Sequence, residues 1–140
     1  MPTRKAEAVW EGTLKGGHGT FKGQTGLSGA YSFSSRFEEG PGSNPEELLA
    51  AAHAACYSMA LSAGLEKNGT PSKSVKTEAF CTIEKVGEGF KITTMKLVTR
   101  ASVPGIDNDA FQAVAAKTKE GCPVSGALKA INIELDAALV

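Results

Sequence analysis

One long apolar segment, residues 45–67, constrains this chain more than any other feature. It reads PEELLAAAHAACYSMALSAGLEK, with its acidic residues and its lysine confined to the two ends. Asn44 before Pro45 predicts a helix start, because asparagine caps helix N-termini and proline suits the first helical position. Ser43 and Glu46, as a capping box, form an alternative start. The helix between has no polar face, and this predicts burial nearly all round.

A helix of this kind needs more apolar cover than a small domain supplies. One sheet covers one face, and the next predicted helix carries Lys117, Lys119 and Glu120, which makes it a poor cover for the other. A partner subunit is the remaining candidate, so we expect an obligate homodimer. Polar residues such as His53 and Ser58 interrupt the apolar run, which therefore falls short of a membrane span.

Short strands with glycine-rich turns precede this helix, and a hairpin follows it. Alternating apolar residues and turn signals predict the strands, and capping residues predict two more helices. No linker or repeat divides the sequence, so we expect a single α+β domain over residues 1–140, with a largely antiparallel sheet and a long buried central helix. The predicted strands are 6–10, 18–23, 26–33, 75–85, 90–103 and 131–135, and the further helices are 108–120 and a short one opened by Cys122 and Pro123.

The charge balance and the thiol count narrow the class of protein. Fifteen basic residues match fifteen acidic ones, for a formal net charge of zero. This argues against a nucleic-acid or anionic-membrane surface built on bulk charge. The first residues lack the apolar stretch of a signal peptide, and three cysteines are an odd number. A cytoplasmic protein is therefore expected, rather than a secreted disulfide scaffold.

The three cysteines differ in their predicted surroundings. Cys81 alternates in phase with apolar residues on a strand, which is typical of a packing residue. Cys56 lies in the middle of the long helix, where packing is again favoured and a reactive thiolate needs a cation brought to it. Cys122 directly precedes Pro123 at a predicted helix N-terminus, where backbone N–H groups favour a thiolate. Only Cys122 indicates a functional role on position alone.

Three other side chains are compatible with chemistry without requiring it. His53 shares a helix face with Cys56, so the two could form a thiol–imidazole pair or, with Cys122, a metal site. The sequence has no close CxxC or HxxxH pair, and a buried structural histidine is the favoured interpretation. Arg36 fits an exposed loop arginine, and Glu46 fits an acid that complements the helix dipole.

Taken together, these residues lie in motifs that resemble the OsmC/Ohr family of thiol peroxidases. The motif SRFEEGPGSNPEELLAAAHAACYSMAL is followed much later by VPGID and GCPVS. The histidine in AAHAAC and the arginine shortly before NPEE resemble the OsmC branch. The resemblance implies an OsmC-like fold and a hydroperoxide reductase for defence against oxidative or osmotic stress. It also implies that the enzyme uses two cysteines and no metal, flavin or haem.

The resemblance also implies site residues. Cys56 matches the peroxidatic cysteine and Cys122 the resolving one, while Arg36 and Glu46 match an activating arginine and its carboxylate partner. Cys81 matches no catalytic position. In this chemistry a thiolate stabilised by arginine attacks the peroxide, the resulting sulfenic acid condenses with the second cysteine, and an external dithiol reduces the disulfide.

Apolar side chains point to the substrate class. Phe37, Tyr57 and Met59 are candidates for apolar surroundings of the peroxide, which would favour alkyl over inorganic peroxides. This is a hypothesis from side-chain type alone.

Helix geometry raises one difficulty for a site within one chain. Ten residues separate Glu46 from Cys56, about 15 Å along an ideal helix axis. Either the first turn bends away, or Glu46 and Arg36 reach the partner subunit's Cys56. We predict the second arrangement, with two composite sites at an intertwined dimer interface.

Two functions other than a peroxidase remain as alternatives. One is a non-catalytic small-molecule or redox-sensing binding protein, and the other is a zinc–thiolate protein.

Overall fold

Three short strands form an antiparallel sheet at the start of the chain, in a computed structural model that describes residues 1–140. They are β1 (Ala6–Glu11), β2 (His18–Gly23) and β3 (Ser28–Tyr31), in the order β1-β2-β3. The sheet belongs to a compact unit of residues 1–48, and residues 49–140 form a second unit. The prediction of one domain over residues 1–140 stays a prediction.

The predicted strand 26–33 is wrong at its end, where a short helix α1 (Phe33–Phe37) begins. Ser32 caps this helix: its hydroxyl accepts from the Ser35 N–H at 3.1 Å, and the Ser35 hydroxyl accepts from the Ser32 N–H at 2.8 Å. This is a capping box with serine at the third helical position, where glutamate or glutamine is usual. Alternating apolar residues therefore predicted a strand where local hydrogen bonds make a helix.

The long predicted helix is present as α2 (Pro45–Lys67). Asn44 is its cap, because the Glu47 N–H donates to Asn44 Oδ1 at 2.8 Å. The Ser43 hydroxyl instead donates to the Glu47 carboxylate at 2.6 Å, so the capping-box alternative is wrong. The chain leaves the helix through Gly69, whose positive φ of 84° is a conformation that glycine adopts without strain.

A second sheet carries the rest of the fold, and it is mixed rather than antiparallel. Its strand order is β4-β5-β6, with β4 antiparallel and β6 parallel to the central β5. The parallel pair arises because two helices cross over between β5 and β6. The other three strand pairs are antiparallel, which confirms the prediction of a largely antiparallel α+β fold. The elements of this unit are β4 (Ser74–Val86), β5 (Gly89–Ser102), α3 (Asn108–Gly121), α4 (Pro123–Ala127) and β6 (Asn132–Leu139).

Burial of α2 is one-sided. Its buried apolar side chains, Tyr57, Leu61 and Leu65, belong to a core shared with β5 and α3. At other positions of the helix several alanines and Met59 are exposed, and the exposed fraction of Met59 is 80%. The prediction of a helix buried nearly all round is therefore wrong for the single chain, since one sheet and its helices cover one face. By length and composition alone α2 could also cross a membrane.

Candidate active site

Two cysteines from distant parts of the sequence meet in the second unit. The Sγ atoms of Cys56, on α2, and Cys122 are 2.9 Å apart and share a hydrogen bond. Cys122 lies between α3 and α4, where it ends one helix and caps the next, with Pro123 at the first position of α4. Its side chain is only 1% exposed, whereas Cys56 is half-buried. The fold thus brings together the two thiols that the family resemblance pairs.

The surroundings of the two thiols shift their pKa values in opposite directions. Burial raises the pKa of Cys56, and the hydrogen bond with Cys122 raises it further, against an opposing backbone hydrogen bond from Val124. Burial also acts to raise the pKa of Cys122, but hydrogen bonds from Cys56, Ser125 and Val124 outweigh it, so the pKa is lowered. The hydrogen bonds within the site thus favour the thiolate of Cys122 more than that of Cys56.

A buried histidine is linked to this pair. His53 is 0% exposed, and its Nε2 lies 2.7 Å from the Oγ of Ser125. The Ser125 side chain in turn hydrogen-bonds the Cys122 sulfur. The other ring nitrogen, Nδ1, is buried without a hydrogen-bond partner. Burial lowers the pKa of His53, because it disfavours the imidazolium.

Ser125 is a residue that the sequence reasoning missed. It is 3% exposed and touches both His53 and Cys122. The available signal was its position in the GCPVS motif, three residues after Cys122 and on the first turn of the helix that Cys122 caps. Serine at such a position directs its hydroxyl back towards the cap residue.

Arg36 and Glu46 form an ion pair in the first unit, as the resemblance implied. Arg36 Nη2 donates to Glu46 Oε1 at 2.8 Å, and Arg36 Nε lies 3.2 and 3.3 Å from the two carboxylate oxygens. The Glu46 side chain is 7% exposed and that of Arg36 is 36% exposed. Glu46 therefore fixes one edge of the guanidinium, while Nη1 takes no part in these bonds.

An aromatic pocket adjoins this arginine. It has a volume of about 270 Å³, and the Arg36 guanidinium lies 5.2 Å from the centre of the Phe37 ring. A cation over an aromatic face in a small apolar pocket can hold a ligand with one polar end and one apolar end. The other lining residues are Trp10, Leu14, Tyr31, Ser32 and Phe33.

The remaining candidates fall in different places. Phe37 lines the aromatic pocket, and Met59 is exposed on α2. Tyr57 is a core residue, fully buried with its hydroxyl donating to the Ala115 carbonyl at 2.9 Å, so it is wrong as a residue that contacts substrate. Cys81 packs on the inward side of β4 with Val75, which agrees with its predicted packing role.

A second cavity, of about 510 Å³, lies between α2 and α3. Its lining residues include Cys122, Gly64, Val114, Lys67 and Lys117. Cys122 thus lines a groove although only 1% of its surface is exposed.

Comparison with known proteins identifies the family. Residues 38–136 match the family described as OsmC-like protein. This chain belongs to that family. Peroxiredoxin OsmC of Escherichia coli is 46% identical over 138 residues, covering 97% of this chain and 96% of that protein. The predicted family membership is thereby confirmed.

Relatives of the other branch are more distant. An organic hydroperoxide resistance protein of Xanthomonas axonopodis pv. citri is 33% identical over 102 residues, covering 71% of this chain and 68% of that protein. The crystal structure of the organic hydroperoxide resistance protein OhrB of Bacillus subtilis has a TM-score of 0.73 at 24% identity, covering 96% of this chain and 98% of that one. This structural likeness supports the OsmC-like α+β fold.

Proposed function

We propose that this chain reduces organic hydroperoxides to alcohols, with Cys56 as the attacking thiol and Cys122 as the thiol that closes a disulfide. A peroxidase-type role is supported by the 46% identity, over almost the whole chain, with a protein named Peroxiredoxin OsmC. The observation that carries the two-cysteine mechanism is the 2.9 Å contact between the Sγ atoms of Cys56 and Cys122. The proposed setting is defence against oxidative or osmotic stress.

The proposed reaction has three steps. The Cys56 thiolate attacks the terminal peroxide oxygen, so that an S–O bond forms, the O–O bond breaks, and the alkoxide leaves as an alcohol after taking a proton. Cys122 then attacks the sulfur of the Cys56 sulfenic acid, which forms the disulfide and releases water. Because the two sulfurs are already in contact, this closure needs little movement. An external dithiol restores both thiols by exchange, and the groove at Cys122 offers it a route.

The first step needs a positive charge near Cys56. Burial, Cys122 and the Val124 backbone shift the pKa of Cys56, and none of these causes supplies a positive charge. Arg36 is the proposed source, because arginine stays charged at low hydration and its free edge can hydrogen-bond the peroxide. Glu46 keeps its fork in place.

We propose that Arg36 and Glu46 serve the partner subunit's Cys56 in an intertwined homodimer. Glu46 and Cys56 lie ten residues apart on the same helix α2, about 15 Å along an ideal helix axis. The exposed apolar positions of α2, with Met59 at 80% exposure, offer a surface for the partner. The two composite sites need neither metal nor organic cofactor.

Mixed dimers test the cross-chain arrangement. Arg36→Met and Cys56→Ser chains, each inactive alone, are combined by unfolding and refolding together. If Arg36 acts across the interface, mixed dimers regain one working site, for about a quarter of the wild-type rate in a random mixture. If Arg36 acts on its own chain, no activity returns.

The proposed substrates are alkyl hydroperoxides. The aromatic pocket beside Arg36 can bind the apolar substituent of the hydroperoxide while the peroxide group contacts the guanidinium. We expect cumene hydroperoxide to be reduced with a higher kcat/KM than hydrogen peroxide, and equal efficiency for the two would contradict this assignment.

The working protein is proposed to be a soluble cytoplasmic homodimer that acts on neither nucleic acid nor membrane. Its formal net charge of zero fits this assignment. Cell fractionation with the chain tagged at its C-terminus is the test, and recovery in the membrane pellet would contradict it.

Cysteine variants test the peroxidase mechanism and separate it from a non-catalytic binding protein of the same fold. With an alkyl hydroperoxide and a dithiol reductant, Cys56→Ser is expected to be inactive. Cys122→Ser is expected to consume about one equivalent of peroxide and then stop, because its sulfenic acid has no partner. Full turnover by Cys56→Ser would overturn the assignment.

A further inference from the structure

The cysteine pair is the end of a buried hydrogen-bonded chain of four side chains. Cys56 contacts Cys122, the Ser125 side chain bonds Cys122, and His53 Nε2 lies 2.7 Å from Ser125 Oγ. His53, Cys122 and Ser125 are each at most 3% exposed. All four residues lie in the second unit of the chain. The mechanism above uses the two sulfurs and leaves Ser125 and His53 without a role.

His53 is poorly explained as a structural residue. Its Nδ1 is buried without a hydrogen-bond partner, and such a group costs free energy that a histidine selected for packing alone would avoid. Its one polar contact is with Ser125, which leads to Cys122. A histidine is also the side chain whose proton affinity lies nearest neutral pH.

We propose that His53, acting through the Ser125 hydroxyl, is the proton acceptor for Cys122 when the disulfide closes. The Cys122 thiol passes its proton to Ser125 Oγ, while the Ser125 proton passes to His53 Nε2. The Cys122 sulfur attacks the Cys56 sulfur, so that the S–S bond forms and the S–O bond of the sulfenic acid breaks. Cys122 is oxidised and Cys56 is reduced. The imidazolium returns one proton to the departing hydroxide, which leaves as water.

The surroundings of the chain suit this exchange. The titratable groups that face it are Cys56 and Tyr57 from α2, and burial followed by the charge on Cys122 raises the pKa of Tyr57, which keeps the phenol protonated. No charged group shifts the pKa of His53, which burial lowers, so the imidazole rests in the neutral form that can accept a proton. The accepting end of the relay, His53, is thus in the protonation state that the exchange requires.

The test separates the closing of the disulfide from the attack on peroxide. The first part of this test rests on the proposed function. In it, reduced protein receives one equivalent of cumene hydroperoxide. Peroxide consumption reports sulfenic acid formation, and acid quenching with thiol alkylation and mass spectrometry reports the disulfide. The variants are Ser125→Ala and His53→Gln, with Ser58→Ala as the matched control. Ser58 lies on the same helix and donates to Thr77 at 2.8 Å, outside the relay.

We expect the two relay variants to consume peroxide at the wild-type rate but to close the disulfide at least about tenfold more slowly near neutral pH. Their closing rate should then rise with pH until the Cys122 thiol ionises unaided, whereas the wild-type rate stays flat. Ser58→Ala should match the wild type in both steps. Wild-type closing rates and pH profiles in both relay variants, or equal slowing of both steps, would overturn the proposal.

A second measurement does not require peroxidase activity. In a Cys56→Ser, Cys81→Ala background, Cys122 is the only thiol, and its ionisation is followed by thiolate absorbance. Adding Ser125→Ala should move this titration to higher pH, because the hydroxyl no longer stabilises the thiolate. An unchanged titration would contradict the relay. A shifted titration, together with a wild-type chain that consumes no peroxide, would support the relay while refuting the proposed function.

Discussion

The two regions that carry the proposed chemistry are built by opposite means. Arg36 and Glu46 are full charges joined by direct hydrogen bonds, with the arginine 36% exposed. Cys56, Cys122, Ser125 and His53 are joined by hydrogen bonds rather than by an ion pair, and they are mostly buried. The first region offers a charged pair held by direct contact. The second exchanges protons, so its state depends on pH. Loss of charge should therefore impair the first region, and loss of a proton path the second.

The largest effect is expected from Arg36→Met. If the guanidinium stabilises the thiolate and the departing alkoxide, kcat/KM for cumene hydroperoxide falls by about 10²–10³-fold. Arg100→Met is the matched control, because Arg100 pairs with Asp136 at 3.1 Å in a half-exposed surface contact. A steady-state assay with excess dithiol measures both. A loss below threefold for Arg36→Met would remove the arginine from the proposed site.

The next effect is that of Glu46→Gln, which keeps the shape of the side chain but removes its charge. The fork of Arg36 then loses its charge-assisted partner, and kcat/KM should fall by about tenfold while the thiols still react with an alkylating reagent. Glu47→Gln is the control, since Glu47 is exposed on the same helical turn. If Glu46→Gln and Glu47→Gln have the same kcat/KM, the ion pair between Glu46 and Arg36 does not contribute to catalysis.

Stability should depend on pH through His53, which distinguishes the second region from the first. Burial holds the pKa of folded His53 below the ordinary 6.5, so the unfolded chain binds more protons at lower pH. The contribution of a neutral His53 is therefore fully present above pH 6.5 and is lost as pH falls through the folded pKa. Urea midpoints measured across this range should decline less in His53→Gln than in the wild type. The urea midpoint of His18→Gln, a change at an exposed position, should decline as that of the wild type does.

The smallest effect is expected from Cys81→Ala, which lies outside both regions. Its side chain packs on the inward face of β4, so the loss is a small cavity costing about 1 kcal/mol of unfolding free energy, with turnover unchanged. Chemical denaturation and the peroxidase assay check the two parts. A large loss of turnover would require a third functional thiol.

Patterns in the sequence predicted the elements whose signals are local. Asn44 and Asp107 cap the helices where expected, and the alternation of β4 gives its inward face. These succeed because a cap or a strand face depends on a few neighbouring residues. Helix α1 escaped prediction for a related reason: its capping box uses Ser35, an uncommon choice at that position.

Contacts between distant residues were predictable only through the family resemblance. Spacing alone favoured packing for Cys56 and left its partner undetermined, yet Cys122 lies against it. The link from His53 to Ser125 joins residues that are 72 positions apart, and no local pattern encodes it. The pKa directions of the two thiols follow from burial and hydrogen bonds that only the folded chain provides.

The sequence by itself determined one long apolar helix, its cap and its stop, the strand alternation, and a neutral chain with three cysteines. Tertiary structure decided that β5 and β6 pair in parallel, that only one face of α2 is covered within the chain, and that one thiol is joined to a serine and a histidine. The physical reason is how far apart in the sequence the interacting residues lie. Helix caps and strand faces arise from neighbours along the chain, whereas strand pairing, burial and proton sharing depend on which distant residues the fold places within a few ångströms of one another.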